Sequence, residues 1–206
     1  TAIAEGDKAK RQAQYEVLRR WESIYGEGLL IMLPDTYGSE QFFQNMPNDL
    51  AKHVAHKWRG QRQDSGDPIK ECNKFIKWLV DMGVSRDDIM KNKINIFSDG
   101  LDDTEMIKFK GEFSDKILTT NGWGTNFTND FNNCHPNGEV KIPGLEVTWA
   151  QVFRNFSLVV KVVEANNQPT VKLTNNINKA SGTPDAITDY IRIFGHKGRG
   201  EQLVEV

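Results

Sequence analysis

The feature that most constrains this chain is a repeated one: an apolar run closes on a short polar segment carrying a carboxylate or glycines. Leu29-Leu30-Ile31-Met32-Leu33 runs into Pro34-Asp35-Thr36-Tyr37-Gly38. Further on come Arg62-Gln63-Asp64-Ser65-Gly66-Asp67, Phe97-Ser98-Asp99-Gly100-Leu101-Asp102 and Asn121-Gly122-Trp123-Gly124-Thr125-Asn126. Asp35, Asp64, Asp99 and Gly122 stand 29, 35 and 23 positions apart, about one strand, one helix and their loops each. The repeat predicts successive β/α units and a parallel sheet. In such folds ligands gather at the carboxyl ends of the strands.

Apolar spacing predicts a helix over residues 7–25, with Tyr15, Leu18, Trp21, Ile24 and Tyr25 as its apolar stripe. Its basic residues Lys8, Lys10, Arg11, Arg19 and Arg20 read as a solvated face. Strands are expected at 29–33, 59–64, 94–97 and 116–120, and helices from about 39, from 48 and over 103–109. Asp67-Pro68 is a strong helix start, and Ile69, Cys72, Phe75, Ile76, Leu79 and Val80 share one face before Gly83. Residues 131–156 read as loop. A hairpin follows (157–164 and 170–174 about a turn at 165–169), with a third strand at 190–194. The expected fold class is therefore α/β for residues 1–135, followed by a β-rich segment over 136–206. Four units cannot close an eight-stranded barrel, which leaves a small open sheet or a portion of a longer chain.

A formal charge of −2 excludes a bulk basic footprint, so no nucleic-acid partner is expected. Phosphate binding, if present, has to be local. Cys72 and Cys134 are too few for a disulfide framework, and no apolar run approaches the ~20 residues that span a bilayer. The opening residues carry no signal-peptide pattern, and a cytoplasmic protein without a membrane partner is expected.

Arg62 and Asp64, two apart on a strand, leave the same face, with Gln63 opposite. As an isolated pair they read as a structural salt bridge. Ahead of Ser65-Gly66-Asp67 and a helix start, they also suit an anionic ligand. Ser98-Asp99-Gly100 reads equally as a turn capping the next helix and as a ligand set for hydroxyls or hydrated Mg²⁺. Gly122-Trp123-Gly124-Thr125 alone is a weak phosphate-loop signal, strengthened by its place as the last loop of the series. His53 and His56 lack a completing ligand, and Cys134-His135 lacks a triad. The set is acids, glycines and one arginine, without a nucleophile.

Arg62-Gln63-Asp64-Ser65-Gly66-Asp67-Pro68, the 97–102 segment, Gly122 to Asp130, and Val160 to Asn166 followed by Lys172-Leu173 together resemble the nicotinate phosphoribosyltransferases, among the type II phosphoribosyltransferases. The resemblance implies an irregular, here partial, β/α barrel and a carboxyl-terminal portion of a longer chain. The family's phosphorylatable histidine would then lie before Thr1. It implies transfer of phosphoribosyl from phosphoribosyl pyrophosphate to nicotinate, with Mg²⁺ as cofactor, ATP as co-substrate and a homodimer. By motif, Arg62, Asp64 and Asp99 carry the catalytic roles. Asp35, Thr36, Ser65, Gly66, Ser98, Gly100, Gly122, Trp123, Gly124 and Thr125 bind substrate, and Trp123 is bulkier than the residue usual there. A nicotinamide-selective transferase and a non-catalytic nucleotide- or phosphate-binding module remain the alternatives.

Overall fold

The computed structural model describes residues 6–124, 127, 139–152 and 160–196. The opening helix α1 (Gly6–Tyr25) leads to β1 (Ile31–Met32), a 3₁₀ turn (Pro34–Tyr37), α2 (Ser39–Gln44) and α3 (Asn48–Lys57). Then come β2 (Gly60–Gln63), α4 (Pro68–Asp81), α5 (Arg86–Asn92), β3 (Ile94–Phe97), α6 (Asp103–Phe113) and β4 (Leu118–Asn121). The four strands form one parallel sheet in the order β1-β2-β3-β4. The expected β/α repeat is present, and all four loops leave the same edge.

Local chemistry explains the element boundaries. The Asp67 carboxylate accepts the Lys70 N–H and Pro68 occupies the first turn of α4, which buries Cys72, Phe75, Ile76 and Leu79. Helix α5, absent from the sequence expectation, starts in the same way, with Ser85 accepting the Asp88 N–H. Helix α6 is capped by Asp102 and runs past the expected 109 to Phe113, which is fully buried. Burial pushes the Cys72 thiol up to about 12, so it behaves as a core residue.

The sheet's two faces differ sharply. Met32 and Phe97 pack under the helices with Phe75, Leu79, Phe109 and Phe113. On the same face lies a buried carboxamide ladder: Gln61 Nε2 donates to Asn95 Oδ1 at 2.9 Å, and Asn95 Nδ2 to Gln63 Oε1 at 3.2 Å. The opposite face carries Ile31, Gly60, Ile94 and Leu118 in register, with Leu118 and the neighbouring Leu33 each 36% exposed. At Gly60 a Cβ would lie 1.8 Å from the Ile94 carbonyl oxygen, so only glycine fits there. Lys93, 3% exposed, donates to the carbonyls of His56 and Trp58 at 2.8 Å each, and burial pulls its pKa down.

The later part differs from expectation. Within 131–156, read as loop, the described residues form an antiparallel hairpin of β5 (Glu139–Ile142) and β6 (Leu145–Thr148), then α7 (Trp149–Val152). The hairpin at 157–174 is shorter than expected, reduced to β7 (Glu164–Ala165) and β8 (Gln168–Pro169) about Asn166 and Asn167, both at positive φ. Residues 157–159 lie outside the described set. Residues 170–174 form no further strand: Thr170 donates to the Val163 carbonyl at 2.9 Å, Lys172 bridges to Ser181, and the Leu173 N–H meets the Thr36 carbonyl at 2.7 Å. Residues 190–194 are not a third strand. They end helix α8 (Pro184–Phe194), capped by Thr183 and closed by left-handed Gly195. Ala186, Tyr190, Ile193 and Phe194 fall at helical spacing and pack with Tyr37, Val171 and Leu173.

Helix α1 lies against α8. Lys10 pairs with Asp189 at 3.2 Å and Arg11 Nε donates to the Ile193 carbonyl at 2.6 Å, so part of the supposedly solvated face is a docking face. Of the expected apolar stripe only Tyr15 and Leu18 are buried, whereas Trp21, Ile24 and Tyr25 are exposed. No helix among the described residues is long and apolar enough to cross a membrane.

Candidate functional site

The first three strands and their loops deliver the acids and the arginine of a charged rim, and the fourth brings glycines and Trp123 beside it. After β1, the 3₁₀ turn carries Asp35, which is 1% exposed. Its Oδ2 accepts the Ser65 hydroxyl at 2.8 Å, and its Oδ1 is buried without a hydrogen-bond partner. Thr36 contributes its carbonyl to Leu173. Arg62, within β2, donates through Nη2 to Asp64 Oδ1 just past the strand at 2.6 Å, with the arginine side chain 48% exposed. Gly66 sits at φ +81°, and a Cβ there would press on Glu71 and Asn175.

After β3, Ser98 accepts from Arg62 Nε at 2.9 Å, and its hydroxyl lies 3.1 Å from Asp64 Oδ1 and 3.0 Å from the Gln63 carbonyl. Asp99 follows, then Gly100 at φ +58°. After β4, Gly122 stands against Ser98, where a Cβ would approach the Ser98 Cβ to 3.1 Å. The Gly122 N–H is engaged by the Phe97 carbonyl at 2.8 Å, so it continues the sheet rather than facing an anion. Trp123 is exposed and stands 4.9 Å, ring to ring, from Phe127. Gly124 accepts the Phe127 N–H at 3.0 Å, and Thr125 lies outside the described residues.

Residues to which the sequence reading assigned no role complete the rim. Lys172 Nζ stands 3.0 Å from Asp64 Oδ2 and 3.4 Å from Asp35 Oδ2. Lys179 Nζ stands 3.0 Å from both oxygens of Asp99. Between them, the Asn175 amide donates to Ser65 Oγ at 3.1 Å, and its side chain joins Ser39 and Ser65. Lys172 belonged to a quoted motif without a role. The only further signal is two lysines flanking a polar Thr-Asn-Asn stretch. Thr174, between them, holds φ +59°, a strained state for a β-branched residue. Its hydroxyl is bonded to the Asn176 carbonyl at 2.6 Å.

Three carboxylates thus face three cations along one edge. Burial raises the Asp35 carboxyl above its ordinary value, against the pull of Lys172 and Ser65. Burial also works against ionisation of Asp64, but there Lys172 and Arg62 outweigh it and the pKa falls. Asp64 is therefore anionic at neutral pH. Such an edge can exchange its internal ion pairs for a ligand carrying both anions and hydroxyls.

The remaining candidates are structural where they are described. His53 bonds the Glu22 carboxylate at 2.9 Å, and His56 meets the Met82 carbonyl at 3.2 Å. Cys134 and His135 lie outside the described residues. Among the described residues no group of three His, Cys, Asp or Glu side chains is set to hold a metal ion.

The sequence model of the nicotinate phosphoribosyltransferase family matches residues 1–196. The fold is similar to the crystal structure of nicotinate phosphoribosyltransferase from Vibrio cholerae, with TM-score 0.73 and 27% identity over 95% of this chain and 41% of that one. It is similar also to the enzyme from Porphyromonas gingivalis, with TM-score 0.69 and 26% identity over 91% and 43%. The chain therefore spans less than half the length of these relatives. With the acids and glycines of the motif in one rim and the match covering nearly every residue, the chain belongs to the nicotinate phosphoribosyltransferase family.

Proposed function

We propose that this rim serves, in a protein of the relatives' full length, the transfer of a phosphoribosyl group from phosphoribosyl pyrophosphate to nicotinate, giving nicotinate mononucleotide and pyrophosphate. The observation that carries the reading is the alternation of Asp35, Lys172, Asp64 and Arg62, with Asp99 and Lys179 alongside. In the reaction the pyridine nitrogen's electron pair forms the bond to the anomeric carbon. The bond to pyrophosphate breaks, its electrons stay on the leaving oxygen, and positive charge builds on the ribose ring. In this reading Asp64 and Asp99 take ribose hydroxyls and face that charge, while Lys172 and Lys179 turn to the diphosphate. Catalysis by positioning and charge needs no covalent residue.

Mg²⁺ and ATP belong to the same reading. The described residues offer no protein cage for a dication, and each rim acid already faces a cation. That donor set suits a Mg²⁺ that arrives on diphosphate oxygens with its waters. Closure into a barrel is supported by the half-exposed apolar face of the sheet, because parallel sheets bury both faces. A homodimer, a cytoplasmic location, and a division into a barrel part over 1–135 and a second segment over 136–206 complete the proposal.

The test is nicotinate mononucleotide formation by the full-length protein, with nicotinamide assayed in parallel. Asp64→Asn is expected to lower kcat on the order of 100-fold while moving KM far less, the signature of an interaction made in the transition state. Equal turnover of nicotinamide would replace nicotinate in the reading. Ligand binding without any product would leave a binding module.

A further inference from the structure

Asp35 is the rim acid that a ligand does not reach. It is 1% exposed, and its Oδ2 is turned to Ser65 at 2.8 Å and Lys172 at 3.4 Å. Lys172 therefore sits between two carboxylates, of which Asp64 is the more open. An ammonium on a four-carbon stem, facing one carboxylate alone, has many positions of similar energy. A second carboxylate behind it leaves few. The second carboxylate is itself fixed, because the Ser65 hydroxyl that donates to it also accepts the Asn175 N–H at 3.1 Å.

We infer that Asp35 is a positioning residue: it contacts no substrate, and it holds the Lys172 ammonium in place against Asp64. Replacing Asp35 leaves the rim with the same open groups but a looser cation. Lys172 then meets the developing charge of a diphosphate from a range of positions, and the gain from a fixed charge is lost. The loss falls on the chemical step, because substrate in its ground state can still find the ammonium by rearranging it. This inference rests on the phosphoribosyl-transfer reading for its kinetic arm only.

Two experiments on the full-length protein decide it. In the first, ligand-free protein is treated with an amine-acylating reagent and the modified lysines are followed by peptide mass spectrometry. Asp35→Asn, which keeps an acceptor for Ser65, is expected to speed modification of Lys172 on the order of five-fold, with Lys179 changed by less than about two-fold. Ser65→Ala, which loosens Asp35 without removing its charge, should move Lys172 in the same direction by less. An unchanged Lys172 rate in both variants overturns the inference, whether or not the protein makes nicotinate mononucleotide. In the second, Asp35→Asn should lower kcat by about ten-fold or more with both KM values held within about three-fold, and should add nothing to Lys172→Met. Losses that multiply, or that sit in KM, overturn it. Absence of product from the unaltered protein counts against the functional reading, and the labelling result then stands alone.

Discussion

Lys179 Nζ lies 3.0 Å from both carboxylate oxygens of Asp99, a residue 80 positions earlier in the chain. Both side chains are about a quarter exposed, so the pair is reachable and easily traded for a ligand. Lys179→Met in the full-length protein is expected to reduce kcat/KM for phosphoribosyl pyrophosphate by about ten-fold or more, equivalent to about 1.4 kcal/mol. The exposed helix pair of Lys91 and Asp87 is the control, and Lys91→Met should change kinetics negligibly. Steady-state assays of both variants check this.

Gly60 and Gly111 should answer oppositely to alanine. A Cβ at Gly60 would collide with the Ile94 backbone, whereas nothing lies within 4 Å of one at Gly111, inside α6. Gly60→Ala is expected to cost about 3 kcal/mol or more, because β2 must leave β3 to make room. Gly111→Ala should stabilise by about 0.5–1 kcal/mol through helix propensity. Urea unfolding measures both.

The two acids that share Lys172 should give opposite pH signatures. The pKa of Asp64 is depressed in the fold, so its stabilisation is complete above the ordinary carboxylate value and fades as pH falls through the folded one. The pKa of Asp35 is raised, so its contribution is most favourable below the ordinary value and is lost as pH rises through the folded one. Unfolding free energies of wild type minus Asp64→Asn should therefore fall as pH drops below the ordinary carboxylate value, and those of wild type minus Asp35→Asn should rise as pH drops through the raised value.

Arg11 ties α1 to the carboxyl end of α8 through the Ile193 carbonyl, where a cation also meets the helix dipole. Arg11→Met is expected to destabilise by about 1–2 kcal/mol and to speed amide exchange in the last turn of α8. Lys8→Met, on the exposed side of α1, should do neither. Hydrogen exchange with mass spectrometry distinguishes the two.

The sheet and its four loops are legible in the sequence because each unit announces itself locally, as with Asp67-Pro68 opening α4. Helix α5 is legible in principle from Ser85 and Asp88, but seven residues are too few for an apolar period to show. Residues 190–194 mislead because Tyr190, Ile191, Ile193 and Phe194 offer β-prone side chains. The register with Ala186, four positions earlier, decides for a helix only once Tyr37 and Leu173 supply the surface it packs on. Lys172 and Lys179 carry no local signal of which acids they meet. Their roles are set by acids 108 and 80 positions away, and long-range pairing of that kind has no period to read.

The carboxamides of Gln61, Asn95 and Gln63 sit beneath the rim, sealed from solvent. Sliding β2 past β3 by one residue would turn the Arg62 guanidinium under the helices and strand all three amides without partners. That cost makes the ladder a gauge for height, keeping the aspartates that follow the two strands level with one another. The evenness of the charged rim is thus written one layer below it, in neutral side chains that a search for charged residues would pass over.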